Sequence, residues 1–167
     1  MFPLESERRE TMAATVAMGD QAPDFDLEEA YGKPRVKLGD FRGKRNVLLV
    51  FHPFAFTPVC SEEALDLQAN LESFDNAETD VIFVSCDTSA ARQAWKEELG
   101  ATFPFASDFW QHGQVARAYG VFDEQTGAPR RGTFLIDKDG VVIWSLVKDE
   151  KRDELVSDSL DALDAQP

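Results

Sequence analysis

Two cysteines, Cys60 and Cys86, are the only thiols in the chain. Cys60 closes the segment Pro53-Phe-Ala-Phe-Thr-Pro-Val-Cys60. Within it, Thr57 is a preferred helix N-cap and Pro58 suits the first helical position. Cys60 then falls in the first turn of a helix, where backbone N–H groups lack intrahelical partners and the helix dipole is positive. Both effects favour a thiolate, and such positions bring a cysteine pKa from about 8.5 to roughly 4–7. The thiolate is the nucleophilic form, so a cysteine placed here can do chemistry. On these local grounds two readings stand: a reactive thiol, or a small buried apolar residue, as most free cysteines are. Cys86 follows the apolar run 81–85 and reads as a packing or strand-end residue.

The elements that must hold Cys60 are legible from periodicity. Residues 47–51, Val-Leu-Leu-Val-Phe, form a continuous apolar run of strand length, which predicts a strand buried on both faces. Residues 62–74 carry apolar side chains near helical spacing, and 81–85 read as a second buried strand. A helix is expected over 89–99. Strands are expected over 133–136 and 141–145, joined by Asp137-Lys-Asp-Gly140, whose Asp-Gly pair signals a hairpin. A closing helix is expected over 152–163. The order predicts an α/β layered fold with a central mixed sheet flanked by helices. A βαβ unit followed by ββα is the thioredoxin-like arrangement. We expect one domain over residues 19–165 and a flexible N-terminal arm over 1–18.

Pro53-x-x-x-Thr57-x-x-Cys60, in this strand-to-helix context, closely resembles the active-site motif of the peroxiredoxins. The resemblance extends over about residues 19–147. Pro23-Asp-Phe25, Glu63, Phe103-Pro-Phe-Ala-Ser-Asp108, Val115-Ala-Arg-Ala-Tyr-Gly-Val121 and Arg131-Gly-Thr-Phe-Leu-Ile-Asp137 all resemble family segments. Asp108-Phe-Trp-Gln-His-Gly113 and the short C-terminus are most similar to the one-cysteine, alkyl hydroperoxide reductase E type. The resemblance implies a thiol peroxidase that reduces hydrogen peroxide, organic hydroperoxides and peroxynitrite through a Cys60 sulfenic acid. It implies that Thr57 hydrogen-bonds the peroxide and that Pro53 shields the sulfur. Arg131 would stabilise thiolate and leaving oxygen, and the Arg-x-Thr-Phe pattern selects it over the adjacent Arg130. Glu63 would orient Arg131, the alternative being an exposed helix residue.

The sulfenic acid must be reduced for turnover. The position five residues after Cys60, where one subgroup keeps a resolving cysteine, is Leu65, and no cysteine follows Cys86. A Cys60–Cys86 disulfide needs Cα atoms within about 7 Å and hence local unfolding. We therefore expect a one-cysteine mechanism with an external reductant, which the resemblance implies to be a low-molecular-weight thiol or a glutaredoxin- or mycoredoxin-like protein. The alternatives are resolution by Cys86, or a non-catalytic binding or holdase protein on the same fold.

His52 beside Pro53 reads either as a minor pocket residue or as a packed histidine. A Cys60–His52 hydrolase dyad lacks a third orienting residue. Cys60, Cys86, His52 and His112 lack zinc spacing, and no C-x-x-C or glycine-rich phosphate loop occurs, so neither metal nor organic cofactor is expected. The 31 acidic and 17 basic residues give a net charge of −14, which disfavours nucleic acid and anionic membranes as partners. Phe54, Phe56, Phe109 and Trp110 either pack under the sheet or form an apolar rim for organic hydroperoxides or a homodimer face. Residues 1–10 have no apolar core and do not read as a signal peptide, so the expected location is the cytoplasm. Met1, Met12 and Met18 are all candidate starts.

Overall fold

An apolar run with no polar side can sit only where both of its faces are covered. The computed structural model, which describes residues 14–167, puts the run 47–51 at the centre of a five-stranded sheet. In chain order the elements are β1 (Asp26–Leu27), β2 (Val36–Lys37), β3 (Asn46–Phe51), α1 (Pro58–Ala69), α2 (Leu71–Asn76), β4 (Thr79–Ser85) and α3 (Ser89–Leu99). There follow β5 (Phe105–Ser107), α4 (Gln114–Ala118), β6 (Phe122–Asp123), β7 (Ala128–Pro129), β8 (Arg131–Ile136), β9 (Val142–Lys148) and α5 (Leu155–Asp164). The main sheet runs β5-β4-β3-β8-β9. Its first three strands are parallel and the last two antiparallel, which makes it mixed as expected.

Side-chain alternation along the strands divides the core in two. Val47, Leu49, Phe51, Ile82, Val84, Phe134 and Ile136 belong to one cluster, with Phe25, Tyr119 and Val121 packed on it. Leu48, Val50, Val81, Phe83 and Leu135 belong to the other, together with Cys60, Ala64, Leu67, Trp95 and Leu155. Helices α1, α3 and α5 therefore cover the second face, while α4 and the segment around β1 and β2 cover the first.

Several local boundaries differ from expectation. The helix after β3 starts at Pro58 as the Thr57-Pro58 pair predicts, but it breaks at Asn70, whose backbone leaves helical geometry and whose Nδ2 donates to the Asp66 carbonyl at 2.8 Å. The last helix begins at Leu155, so Arg152 lies in the preceding turn. The short strand β5 and the two small hairpins carry too few residues for a periodic signal. The expected arm lies outside the described residues over 1–13. Of its remainder, Val16 packs against the first cluster and donates its N–H to the Tyr119 carbonyl at 3.2 Å.

Candidate active site

Strand β3 ends at Phe51, and the chain passes over the C-terminal end of this central strand through residues 52–57 before entering α1. Thr57 is the N-cap, with extended backbone, and its carbonyl accepts from Ser61 N at 2.9 Å. Its hydroxyl makes no cap bond and instead donates to the Phe54 carbonyl at 2.8 Å. That corrects the simple capping expectation: the hydrogen is committed backwards into the loop, and the oxygen lone pairs are left to accept. Phe56, just before it, has a φ of 61°, a left-handed conformation that non-glycine residues rarely adopt, and such strain concentrates at functional loops.

Cys60 lies in the first turn of α1 and is almost fully buried. Arg131 Nη1 is 3.3 Å from its sulfur. Strand register explains this meeting. Val50 pairs with Thr133 across the β3–β8 ladder, and Arg131 lies two residues beyond Thr133 on the same face, past the end of β3. Gly132 beside it is required for close packing, since a Cβ there would lie 2.8 Å from Val121 Cγ1. Arg130, by contrast, pairs with Asp149 at 3.0 Å in the solvent.

Glu63 is one turn after Cys60, on the same face of α1, and is buried. Its Oε1 accepts from Arg131 Nη1 at 2.5 Å and from Arg152 Nη2 at 3.1 Å. Its Oε2 accepts from Arg152 Nε at 2.7 Å and from the Arg152 backbone N–H at 3.1 Å. Arg152 Nη1 donates to Thr133 Oγ1 at 2.8 Å. Burial alone would raise the Glu63 carboxyl, but the hydrogen bonds and charge of Arg152, with Arg131 behind, hold it below its ordinary range. Two buried arginines thus share one carboxylate, so the cluster carries one net positive charge beside the Cys60 sulfur. Arg152 has no sequence signal of its own: the sequence places it at the start of the closing helix and assigns it no partner.

His52 is fully buried, with its ring stacked on Phe83 at 3.9 Å. Its Nε2 is 2.8 Å from Arg92 Nη1. A guanidinium can only donate, so Nε2 accepts and the neutral ring carries its proton on Nδ1. Burial first, then Arg92, Arg152 and Arg131, push its pKa well below the ordinary range. His52 is therefore a packed histidine whose one acceptor nitrogen is occupied. Arg92, also missed in the sequence, is buried on α3. Its spacing of three before Trp95 and seven before Leu99, both apolar, was the available signal.

Cys86 packs against the first core cluster, on the other face of the sheet from Cys60. Burial, with Asp108 and Asp87 nearby, pushes its thiol up to about 12. Pro53 is half-buried within the 52–57 loop. Phe54, Phe56, Phe109 and Trp110 are exposed rather than packed under the sheet. Their two loops are joined through Asp87, whose side chain accepts from Ala55 N and whose carbonyl accepts from Ser107 Oγ.

A thiol beside a guanidinium in a helix N-terminal turn can attack an electrophilic atom and stabilise the negative charge it displaces. The chain matches the model of the AhpC/TSA family over residues 18–145. It is 42% identical over 151 residues to alkyl hydroperoxide reductase E of Mycobacterium tuberculosis, covering 89% of this chain and 98% of that protein. Among solved structures, it is similar to the peroxidoxin BcpB of Mycobacterium tuberculosis, with a TM-score of 0.82, 27% identity and coverage of 90% and 97% of the two chains. A reduced 2-Cys peroxiredoxin of Plasmodium vivax matches with a TM-score of 0.79 and 29% identity over 89% of this chain and 80% of that one.

Proposed function

Since the chain belongs to the AhpC/TSA family of peroxiredoxins and is a thiol peroxidase, we propose that Cys60 is its peroxidatic residue and that it turns over by a one-cysteine cycle. The observation that carries this reading is the 3.3 Å approach of Arg131 Nη1 to Cys60 Sγ. The Cys60 thiolate attacks one peroxide oxygen. An S–O bond forms, the O–O bond breaks, and sulfur loses two electrons to give sulfenic acid. The other oxygen leaves as alkoxide or hydroxide and takes up a proton to become alcohol or water. Arg131 donates to sulfur and to the departing oxygen, and cannot lose its charge. Thr57, whose hydrogen goes to Phe54, accepts the peroxide O–H. Glu63 and Arg152 hold Arg131 in place, and Pro53 limits water at the sulfur. His52 supports the loop from beneath and takes no proton.

For the second half of the cycle, an external thiol attacks the sulfenic sulfur, releasing water and leaving a mixed disulfide. A second thiol then frees Cys60. The separation of Cys60 and Cys86 by the sheet, and the raised thiol of Cys86, support an external reductant. That reductant is a low-molecular-weight thiol or a glutaredoxin- or mycoredoxin-like protein. Hydrogen peroxide, organic hydroperoxides and peroxynitrite are the proposed oxidants, with the exposed aromatics of the two loops favouring organic chains. The same rim serves as the face of a homodimer. The proposed location is the cytoplasm.

The test is mass spectrometry under non-reducing conditions after one equivalent of peroxide. Sulfenic acid trapped on Cys60 is expected, with Cys86 a free thiol. A Cys60–Cys86 disulfide would refute the one-cysteine cycle, and a Cys60 no faster than free cysteine would refute the peroxidatic role.

A further inference from the structure

Besides the Glu63 cluster, a second polar cluster lies on the face of the sheet covered by α1, α3 and α5, beneath the loop that carries Thr57. Arg92 is at its centre. Its Nη1 reaches both His52 Nε2 at 2.8 Å and Ser85 Oγ at 2.5 Å, and its Nη2 donates to the Phe83 carbonyl at 2.7 Å. Ser85 Oγ in turn donates to Asp87 Oδ2 at 2.6 Å, and the same carboxylate oxygen accepts from Ala55 N at 2.8 Å. The aromatic rings of Phe83 and Phe105 flank the guanidinium at 5.7 and 5.3 Å. Among the described residues, no carboxylate touches it directly. A fully buried cation without a paired acid is costly to keep, and burial pushes its pKa down to about 9.

Two arms of hydrogen bonds leave this one guanidinium and end on the same loop. One ends on the side chain of His52, where the loop begins. The other passes through Ser85 and Asp87 and ends on the backbone of Ala55. Between and just beyond these anchors lie the Phe54 carbonyl, the strained Phe56 and Thr57. We propose that Arg92 is a positioning residue for peroxide reduction: it pins the 52–57 loop at His52 and Ala55, and so sets where the Thr57 oxygen meets the peroxide. This inference rests on the peroxidatic reading of Cys60 and deepens it.

The geometry makes a selective demand. Attack on a peroxide uses Thr57 as well as the sulfur, whereas alkylation by iodoacetamide does not use the Thr57 acceptor. Loosening the loop must therefore slow the first reaction and spare the second. The experiment compares the intact protein with Arg92→Met, which keeps much of the apolar volume, and with Arg92→Lys, which keeps a charge and loses the two-armed fork. Each is assayed for the second-order rate with hydrogen peroxide and with iodoacetamide. Both substitutions are then repeated on a Thr57→Val background.

We expect a fall of roughly tenfold to a hundredfold in the peroxide rate, as misplacement of a reacting group brings, with the iodoacetamide rate unchanged. On the Thr57→Val background, the Arg92 substitution should add little, since the group it positions is gone. If Arg92→Met does not fold, Arg92→Lys and Ser85→Ala, which cuts the second arm only, carry the same comparison. Equal loss of both rates would overturn the proposal, as would full retention of the peroxide rate or additive losses on the Thr57→Val background. A wild-type protein that reduces peroxide no faster than free cysteine would instead bring down the peroxidatic reading itself.

Discussion

Cys60 and Cys86 follow adjacent parallel strands, yet they occupy opposite chemical environments. Cys60 comes after β3, in the first turn of α1, with Arg131 on its sulfur and Arg152 behind Glu63. Cys86 comes directly after β4, on the other face, where Asp108 and Asp87 add to burial in pushing its thiol up to about 12. Burial by itself disfavours an ionised thiol. What differs is the charged company: Arg131 lies against the Cys60 sulfur, whereas around Cys86 the acids Asp108 and Asp87 outweigh Arg117 and Arg92. A position just past the C-terminal end of a central strand thus does not by itself set a thiol's surroundings; the charged groups brought in from distant segments do.

Four sets of substitutions bear on that contrast, taken from the largest expected effect down. Cys60→Ser removes the proposed nucleophile and should cut peroxide reduction on the order of a thousandfold or more in a purified assay. Cys86→Ser should leave the rate where it was, and a comparable loss there would break the contrast outright. Glu63→Gln leaves two buried guanidinium groups sharing a neutral amide. Removing one partner of a buried ion pair costs about 3–5 kcal/mol, which denaturant melts should register. Arg131→Ala leaves Cys60 without its fixed donor, and loss of one such donor typically costs about 10²–10³ in rate. Arg130→Ala, whose partner is in solvent, is the paired control and should change little.

The smallest effect concerns the acidic side. Burial pushes Asp108 up to about 6, against the backbone N–H donors of Ala116 and Val115. A carboxyl raised in the folded state contributes stability that is fully present below its ordinary 3.8 and is lost as pH rises through about 6. In Asp108→Asn that contribution is absent. The stability of the variant relative to wild type should therefore climb between about pH 4 and pH 6, by about 2–3 kcal/mol at 1.4 kcal/mol per pH unit. The same variant should alkylate faster at Cys86, because one of the acids opposing its thiolate is gone. A flat stability difference across this pH range would count against Asp108 as the charged neighbour of Cys86.

Much of the fold was open to sequence reasoning because its signals are local. The runs 47–51 and 81–85 have no polar face, so they had to be central strands. The Thr57-Pro58 pair announced a helix start, which placed Cys60 in its first turn. Resemblance then selected Arg131 over Arg130, and the β3–β8 register gives the physical reason for that choice. Other features were not legible. Thr57 reads as a side-chain cap, but its hydroxyl turns to Phe54, a choice made by the path of residues 52–57 rather than by residue type. Arg152 looked like a helix residue until the helix was seen to begin at Leu155. Arg92 sits on the apolar face of α3, yet nothing in its neighbours in sequence announces the His52 and Ser85 acceptors.

The amino-acid sequence by itself determined the long strands of the main sheet, the helix start and the thiol within it, because apolar periodicity and capping act between residues a few positions apart. It could not determine which charges surround each sulfur. Arg131 lies 71 positions from Cys60 and Arg152 lies 89 from Glu63, so no local rule couples them. Only the antiparallel return of β8 beside β3, and the turn that leads into α5, bring those cations to one cysteine and leave the other among acids.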